Sequence, residues 1–389
     1  MSLRFYPSLI MLFLSIALSA SEPADSVATS EWRPSKGNII KRLINYFDES
    51  NKDKPMKRVD FSFIGGPSYS NDAKLGIGLV AAALYRTDMN DSLLQQSNVS
   101  LYTEVTTALL YMVGVRGNHI APHEDYRINY DTKVYSFPTK FWGIGYTRAV
   151  DDANETSYKD FHVSLQGEIL WQPRKNFFIG PTLEFCYTHA HDIKGDKGIS
   201  LWEGQPLKTS DFGAGLTFSY DSRDHLTNPF SGWLFRVDQR FFPRFAGNGN
   251  HSFSLTEFGI NKYSRIWRGG ILAARLHGKF TYGRTPWGML PTIGGSYTMR
   301  GYYEARYRDK CAMDLTVELR QHVWKRSGAV LWLGVGSVFP RFAAMRFDRL
   351  LPNAGIGYRW EFKKRTNVRL DFGVGKGQTG FIFNINEAF

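Results

Sequence analysis

From about residue 58 onward the chain alternates apolar and polar side chains with a period of two. In 354–362, Ile356, Tyr358, Trp360 and Phe362 share one face, and Gly355, Gly357, Arg359 and Glu361 share the other. In 368–375, Val368, Leu370, Phe372 and Val374 oppose Arg369 and Asp371; in 312–323, Met313, Leu315, Val317, Leu319 and Val323 oppose Asp314, Glu318, Arg320 and His322. The stretch 233–241 sets Trp233, Phe235, Val237 and Phe241 against Arg236, Asp238 and Arg240, and 272–282 sets Leu272, Ala274, Leu276, Phe280 and Tyr282 against Arg275, His277 and Lys279. A β-strand turns successive side chains to opposite sides, so each segment has a greasy face and a charged one. Sixteen segments read as strands: 59–69, 73–86, 97–106, 108–120, 125–137, 159–172, 177–189, 211–222, 231–242, 252–264, 269–283, 311–324, 329–339, 354–362, 366–375 and 380–389.

The same alternation suits a soluble sandwich with a wet outer face. Two features favour a membrane barrel. The segments run about 9–14 residues, the length of a strand tilted across a bilayer, and their apolar faces carry Trp, Tyr and Phe at the ends. A sheet in lipid must satisfy its own backbone, so it has to close on itself. The expected fold is therefore all-β, a sixteen-stranded antiparallel transmembrane β-barrel over 58–389. Connections after odd strands are long (138–158, 190–210, 284–310, 340–353), and those after even strands are mostly short (173–176, 265–268, 325–328, 363–365). That asymmetry belongs to outer-membrane barrels. The connections at 87–96 and near 107 fit it less well.

The N-terminus reads as an address. Arg4 precedes the apolar run 9–18, and small residues follow at Ala17, Ser19, Ala20 and Ser21. This order predicts a signal peptide over 1–20, cleaved between 19 and 21. In the polar segment 21–57, Ile40, Leu43, Ile44 and Phe47 follow helical spacing and predict a short amphipathic helix begun near Ser35. That helix is either a surface helix of the domain or an interfacial or plug helix against the barrel.

Composition agrees. Hydrophobic residues make up 43% of the 389 residues, with 29 Phe, 20 Tyr, 10 Trp and 37 Gly, and mean hydropathy is −0.31. No second run approaches the ~20 apolar residues of a helical span, and so many aromatics exclude disorder. Two cysteines, Cys186 and Cys311, exclude a disulfide-framed scaffold, and whether they pair is open. The net charge of +12 invites a nucleic-acid partner, but export argues against one. Basic residues there meet the phosphates of outer-membrane lipids such as lipopolysaccharide, or solvent. No G-x-S-x-G, H-E-x-x-H or P-loop pattern occurs, so neither an enzyme nor a cofactor is expected. His189, His191 and Asp192 lack a further ligand, so no metal site is assigned.

One loop is specific. Residues 294–310 read GGSYTMRGYYEARYRDK, between the eleventh and twelfth segments. Met299-Arg300-Gly301-Tyr302 in that place resembles the Arg-Gly-aromatic motif of the BamA/TamA superfamily, the bacterial surface antigen or outer-membrane assembly family. FPTKFWGIGYTR (137–148), DSRDHLTNPFSGW (221–233) and RLDFGVGKGQTGFIFNINEAF (369–389) are also similar. The resemblance implies that the loop folds back into the lumen and that acidic wall residues hold Arg300. The candidates are Glu318 and Asp314, on the charged face of the next segment, with Glu318 the better match. An aspartate usual on the following strand is replaced by Gly334. The ending, with Phe381, Phe383, Ile385 and Phe389 on one face and Glu387 interrupting, resembles the C-terminal signal of outer-membrane barrels.

Typical members carry periplasmic POTRA domains before the barrel, whereas 21–57 is too short for one. The resemblance thus implies a member reduced to a barrel and a short helix, itself folded as a client of the barrel assembly machinery. Its expected role is assembly, insertion or translocation of proteins or lipids at the outer membrane. The alternative is a passive channel or a structural or adhesive barrel on the same scaffold.

Overall fold

The computed structural model describes residues 58–389 apart from 71–73, 92–93, 108–109, 196 and 248–250. The predicted signal peptide and the helix of Ile40, Leu43, Ile44 and Phe47 lie outside the described residues. Among the described residues, eighteen strands follow in chain order. They begin with β1 (Val59–Ser70), β2 (Lys74–Tyr85), β3 (Ser97–Thr106), β4 (Tyr111–Ile120), β5 (Tyr126–Phe141) and β6 (Thr156–Arg174). Next come β7 (Phe177–Lys194), β8 (Lys208–Asp221), β9 (Gly232–Phe242), β10 (Phe253–Trp267) and β11 (Gly270–Gly283). The two-residue strands β12 (Thr292–Ile293) and β13 (Tyr307–Arg308) precede β14 (Cys311–Trp324), β15 (Ser327–Phe339), β16 (Leu351–Lys363), β17 (Thr366–Gly375) and β18 (Gln378–Ile385).

All but β12 and β13 join one sixteen-stranded sheet whose spatial order is the chain order, every neighbour antiparallel. The sixteen predicted segments are these sixteen strands. Two of the long connections, predicted at 138–158 and 190–210, are shorter than predicted, because β5, β6, β7 and β8 run on to 141, 156, 194 and 208. They overshoot the ~9–11 residues a bilayer requires and stand above it. The trio His189, His191 and Asp192 therefore lies on β7 rather than in a loop. Asp192 pairs with Lys159 at 2.7 Å, and among the described residues no three His, Cys, Asp or Glu side chains converge on a metal position.

Contacts between distant strands curl the sheet into a barrel. At the short-turn end, Leu226 between β8 and β9 donates its N–H to Gln95 between β2 and β3 (3.0 Å). Thr227 in the same connection donates to the Arg365 carbonyl between β16 and β17 (3.0 Å). No ladder joins β1 to β18 among the described residues.

The two faces settle what the alternation serves. Leu183, Leu216, Leu315, Leu331 and Ile356 are exposed, and Leu333 is 66% exposed, whereas Asp314, Glu318, Arg320, Arg369 and Asp371 are at most 5% exposed. A soluble sandwich would show the reverse. Trp171, Trp233, Trp267 and Trp324 ring the outside near the short turns, as an interfacial girdle does. Two predicted placements change at strand ends. A bulge between Glu361 and Lys363 turns Phe362 into the lumen, where it is 2% exposed. Strand β18 stops at Ile385; Asn386 takes φ +69°, so Phe389 leaves the apolar face and lies against Tyr263 and the Arg320 guanidinium.

The two cysteines are unpaired and buried on opposite sides of the wall. Cys186 packs inward with Phe242, Phe253, Leu255 and Met289, and Cys311 packs outward with Phe280 and Phe339.

Candidate functional site

The connection from β11 to β14 (284–310) enters the barrel. Its β12–β13 ribbon and Met299, Tyr302 and Tyr307 form a buried cluster with Ala312, Val338 and Leu351 on the wall. That cluster fixes the loop, and the backbone then bends sharply: Met299 has φ +45° and Gly301 has φ +112°. Glycine is required at 301, because any Cβ there would meet the Gly373 carbonyl carbon at 2.6 Å. Gly373 is the reciprocal requirement, since its Cβ would lie 2.2 Å from the Arg300 carbonyl oxygen. Loop and wall thus touch backbone to backbone. Tyr302 locks the far side by donating its hydroxyl to the Pro352 carbonyl (2.6 Å) and accepting from the Lys376 N–H (2.8 Å).

This bend drives Arg300 into the wall, 2% exposed. Its Nη2 donates to Glu318 on β14, and its Nη1 donates to Asp371 on β17 at 2.6 Å. Its guanidinium carbon stands 3.7 Å from the Trp332 ring centroid. Trp332 is itself oriented by Asn353, whose Oδ1 accepts from Nε1 at 2.8 Å and whose Nδ2 donates to the Arg300 carbonyl. A buried guanidinium cannot shed its charge and needs carboxylates. A planar fork between two acids and over an indole meets that need.

The cluster is wider than one clamp. Arg320 donates to Glu318 (2.7 Å), Arg359 to Asp371 (2.5 Å) and to Glu387 (2.8 Å), and Arg369 to Asp371 (3.2 Å) and to the Ser296 carbonyl (3.0 Å). Burial pushes the Glu387 carboxyl up, but Arg359 and Arg320 outweigh it and hold the group below its ordinary value. Four cations face three anions, all of them buried. Such a network is costly to open halfway, because each released charge would stay buried.

Asp314, the other acidic candidate, does not reach Arg300. It sits directly across from His277 in the β11–β14 register and bonds that ring at 3.0 Å. Sequence reasoning missed Asp371, Glu387, Trp332 and Asn353 as partners. Asp371 already belonged to the charged row of its strand, but only curvature of the sheet brings β17 beside β14. The acid absent at Gly334 on β15 is thereby supplied from β17.

Above the clamp the outer mouth is filled. Phe141, Trp202 and Trp287 are fully buried in a cluster with Tyr158 and Leu201, joining three of the long connections. Arg308 stacks on Phe141 and Trp287 (5.0 and 5.5 Å). Below it a cavity of about 860 Å³ opens toward the short turns, lined by Arg116, Arg236, Asp238, Glu257, Arg275 and His277 among others. The geometry is a lumen closed at one end by a loop that ion pairs hold in place.

Comparison with known proteins places this arrangement. A model of the Omp85 superfamily domain matches residues 106–389. Among solved structures, the chain is similar to BamA from Haemophilus ducreyi lacking POTRA domains 1–3 (11% identity, TM-score 0.54, 86% of this chain and 70% of that one). It is also similar to CdiB from Acinetobacter baumannii (12%, 0.52, 86% and 60%) and to CdiB from Escherichia coli (10%, 0.54, 86% and 63%). The chain thus spans less than two thirds of either CdiB chain. No curated protein matches.

Proposed function

Because the chain belongs to the Omp85 superfamily, we propose that it acts mechanically in the assembly, insertion or translocation of proteins or lipids at the outer membrane. It is an outer-membrane β-barrel, of a family whose barrels are typically non-enzymatic assembly and transport proteins. The observation that carries the finer reading is the loop 294–303, docked through Arg300 between Glu318 and Asp371. Holding a loop by ion pairs across two distant strands makes its release a discrete event, since the buried guanidinium leaves both carboxylates together. A second feature supports the reading: the outer edges of β1 and β18 carry no ladder among the described residues, and an open strand edge is a template for another chain.

The test is reconstitution. Proteoliposomes containing the protein are mixed with a urea-unfolded β-barrel client, and folding of the client is followed by its heat-modifiable mobility. The expected result is several-fold faster folding than in empty liposomes, with the gain lost in Arg300→Ala. Stable ion conductance with no acceleration would instead favour the passive channel, whose support is the polar cavity open at the short-turn end.

A further inference from the structure

The connection from β15 to β16 (340–350) does something the barrel's own loops above the mouth do not. On β11, Leu272 and Tyr282 face outward and are exposed; Phe280 has the same parity yet is 4% exposed. On β14, Leu315 and Val317 are exposed while Cys311, of the same parity, is 2% exposed. On β15, Leu331 and Leu333 are exposed while Ser337 and Phe339 are each 2% exposed. The register aligns Phe280 with Cys311 and Cys311 with Phe339, so these positions form one row across three strands on the lipid-facing side. Something covers that row from outside. It is Phe342, 4.7 Å from the Phe280 ring and 5.6 Å from the Phe339 ring, together with Met345.

The connection is therefore a flap laid over the outer wall near the long-loop rim. Its remaining side chains suit a boundary between acyl chains and headgroups. Phe347 is 83% exposed; Arg341 is exposed; Arg346 is exposed and paired to Asp348 (3.0 and 2.8 Å); Arg349 lies over the Tyr146 ring at 5.8 Å. Arg349 thus turns to the mouth, over Tyr146 and near Asp309, and leaves Arg341 and Arg346 as the exposed arginines beside the exposed aromatics. The pentapeptide Phe-Pro-Arg-Phe-Ala occurs twice, at 339–343 and at 242–246, and the copy at 242–246 carries Phe245, 91% exposed, on the connection after β9.

We propose that the flap is a binding surface for anionic outer-leaflet lipid that bears phosphomonoesters: Phe342 and Phe347 enter the acyl boundary, and Arg341 and Arg346 take the phosphates. An aromatic body in the interface and a guanidinium at headgroup level is the division of labour these side chains favour, and Arg binds phosphate through a two-pronged fork. The proposal rests on the barrel's place in the outer membrane and is independent of the assembly role.

The test places a bimane label at Phe347→Cys in the full-length protein in nanodiscs, with Cys186 and Cys311 left in their buried sites. Nanodiscs of phosphatidylcholine alone, whose phosphodiester is offset by choline, are compared with nanodiscs containing lipid A, which carries phosphomonoesters and net negative charge. The expected result is a blue-shifted label at least about threefold less quenched by aqueous iodide when lipid A is present, the protection falling by half or more with Arg341→Gln and Arg346→Gln together. Equal protection in both lipids would overturn the phosphate assignment. Full iodide access in both would overturn the flap's membrane placement. Heat-modifiable mobility confirms that each variant is folded, and the lipid comparison on the single-label protein decides the question even if the double variant does not fold.

Discussion

Arg300 illustrates how one side chain is specified by its surroundings. Its two acids come from strands separated in sequence by more than forty residues, its aromatic floor is Trp332, and its backbone is held by Asn353. Arg300→Ala leaves Glu318 and Asp371 buried beside the remaining arginines with one cation fewer. The expected cost is ~3–5 kcal/mol, read as a lower midpoint for heat-modifiable unfolding in detergent. Adding Glu318→Gln to that variant should not recover the loss, because Glu318 keeps Arg320 as its partner (2.7 Å) and neutralising it leaves that buried guanidinium short of a carboxylate. At this scale the sequence was informative about Arg300 and Glu318, where motif and inward parity coincide. It misdirected Asp314, whose parity is equally inward, because the register across from His277 is a pairing fact that alternation cannot show. Lys at position 300 should not substitute: an ammonium cannot fork between two carboxylates while lying flat on an indole.

At the scale of elements, the strands were legible because period two is strong and repeated, and their ends were not. Bulges and positive-φ residues at Glu361–Lys363 and Asn386 redirect Phe362 and Phe389 where simple alternation would carry them outward. The loops had no periodicity to read, so neither the β12–β13 ribbon nor the flap over β11–β15 could be foreseen. Gly301 and Gly373 make the docked loop a sharp test. Gly373→Ala inserts a methyl against the Arg300 carbonyl and should undock 294–303 without touching any charge. The expected outcome is a loop newly cut by limited proteolysis, with stability lowered by ~1–3 kcal/mol.

The β8–β9 connection is a second clasp, crossing the short-turn mouth. Asp224 accepts from the Phe230 and Ser231 N–H groups (2.8 and 3.2 Å) and from Arg365 Nη2 (3.0 Å), and Arg365 stacks on Phe230 at 3.5 Å. Burial pushes the Asp224 carboxyl up, but those N–H donors and Arg365 win and hold it below the ordinary value of 3.8. A carboxylate depressed in the folded state stabilises fully above its unfolded value, and that stability is lost as pH falls through the lower folded one. Thiol labelling at His225→Cys, expressed relative to a free cysteine peptide labelled at the same pH so that the changing thiolate fraction cancels, should therefore stay constant from neutral pH to about pH 4 and rise below it; in Arg365→Ala the relative rate should already be high at neutral pH.

For the whole molecule, one physical arrangement joins these details: apolar side chains on the outside of a curled sheet, charges and an anchored loop inside. Apolar exposure on this scale would aggregate a protein in water, and the buried arginines would be intolerable without their acids. Both conditions are met only when lipid surrounds the barrel. The inside also explains why the net charge says little about partners, since many of the cations are consumed in ion pairs with the wall.

Adjacent residues of β3 give the most direct test of that arrangement. Leu101 is 46% exposed on the outside, and Ser100 lines the lumenal cavity. Nitroxide labels placed singly from Val99 to Glu104 in the reconstituted protein should alternate, with oxygen accessibility peaking at Val99, Leu101 and Thr103 and aqueous nickel accessibility peaking at Ser100, Tyr102 and Glu104. A reversed alternation, or labels all water-accessible with no period of two, would contradict the account.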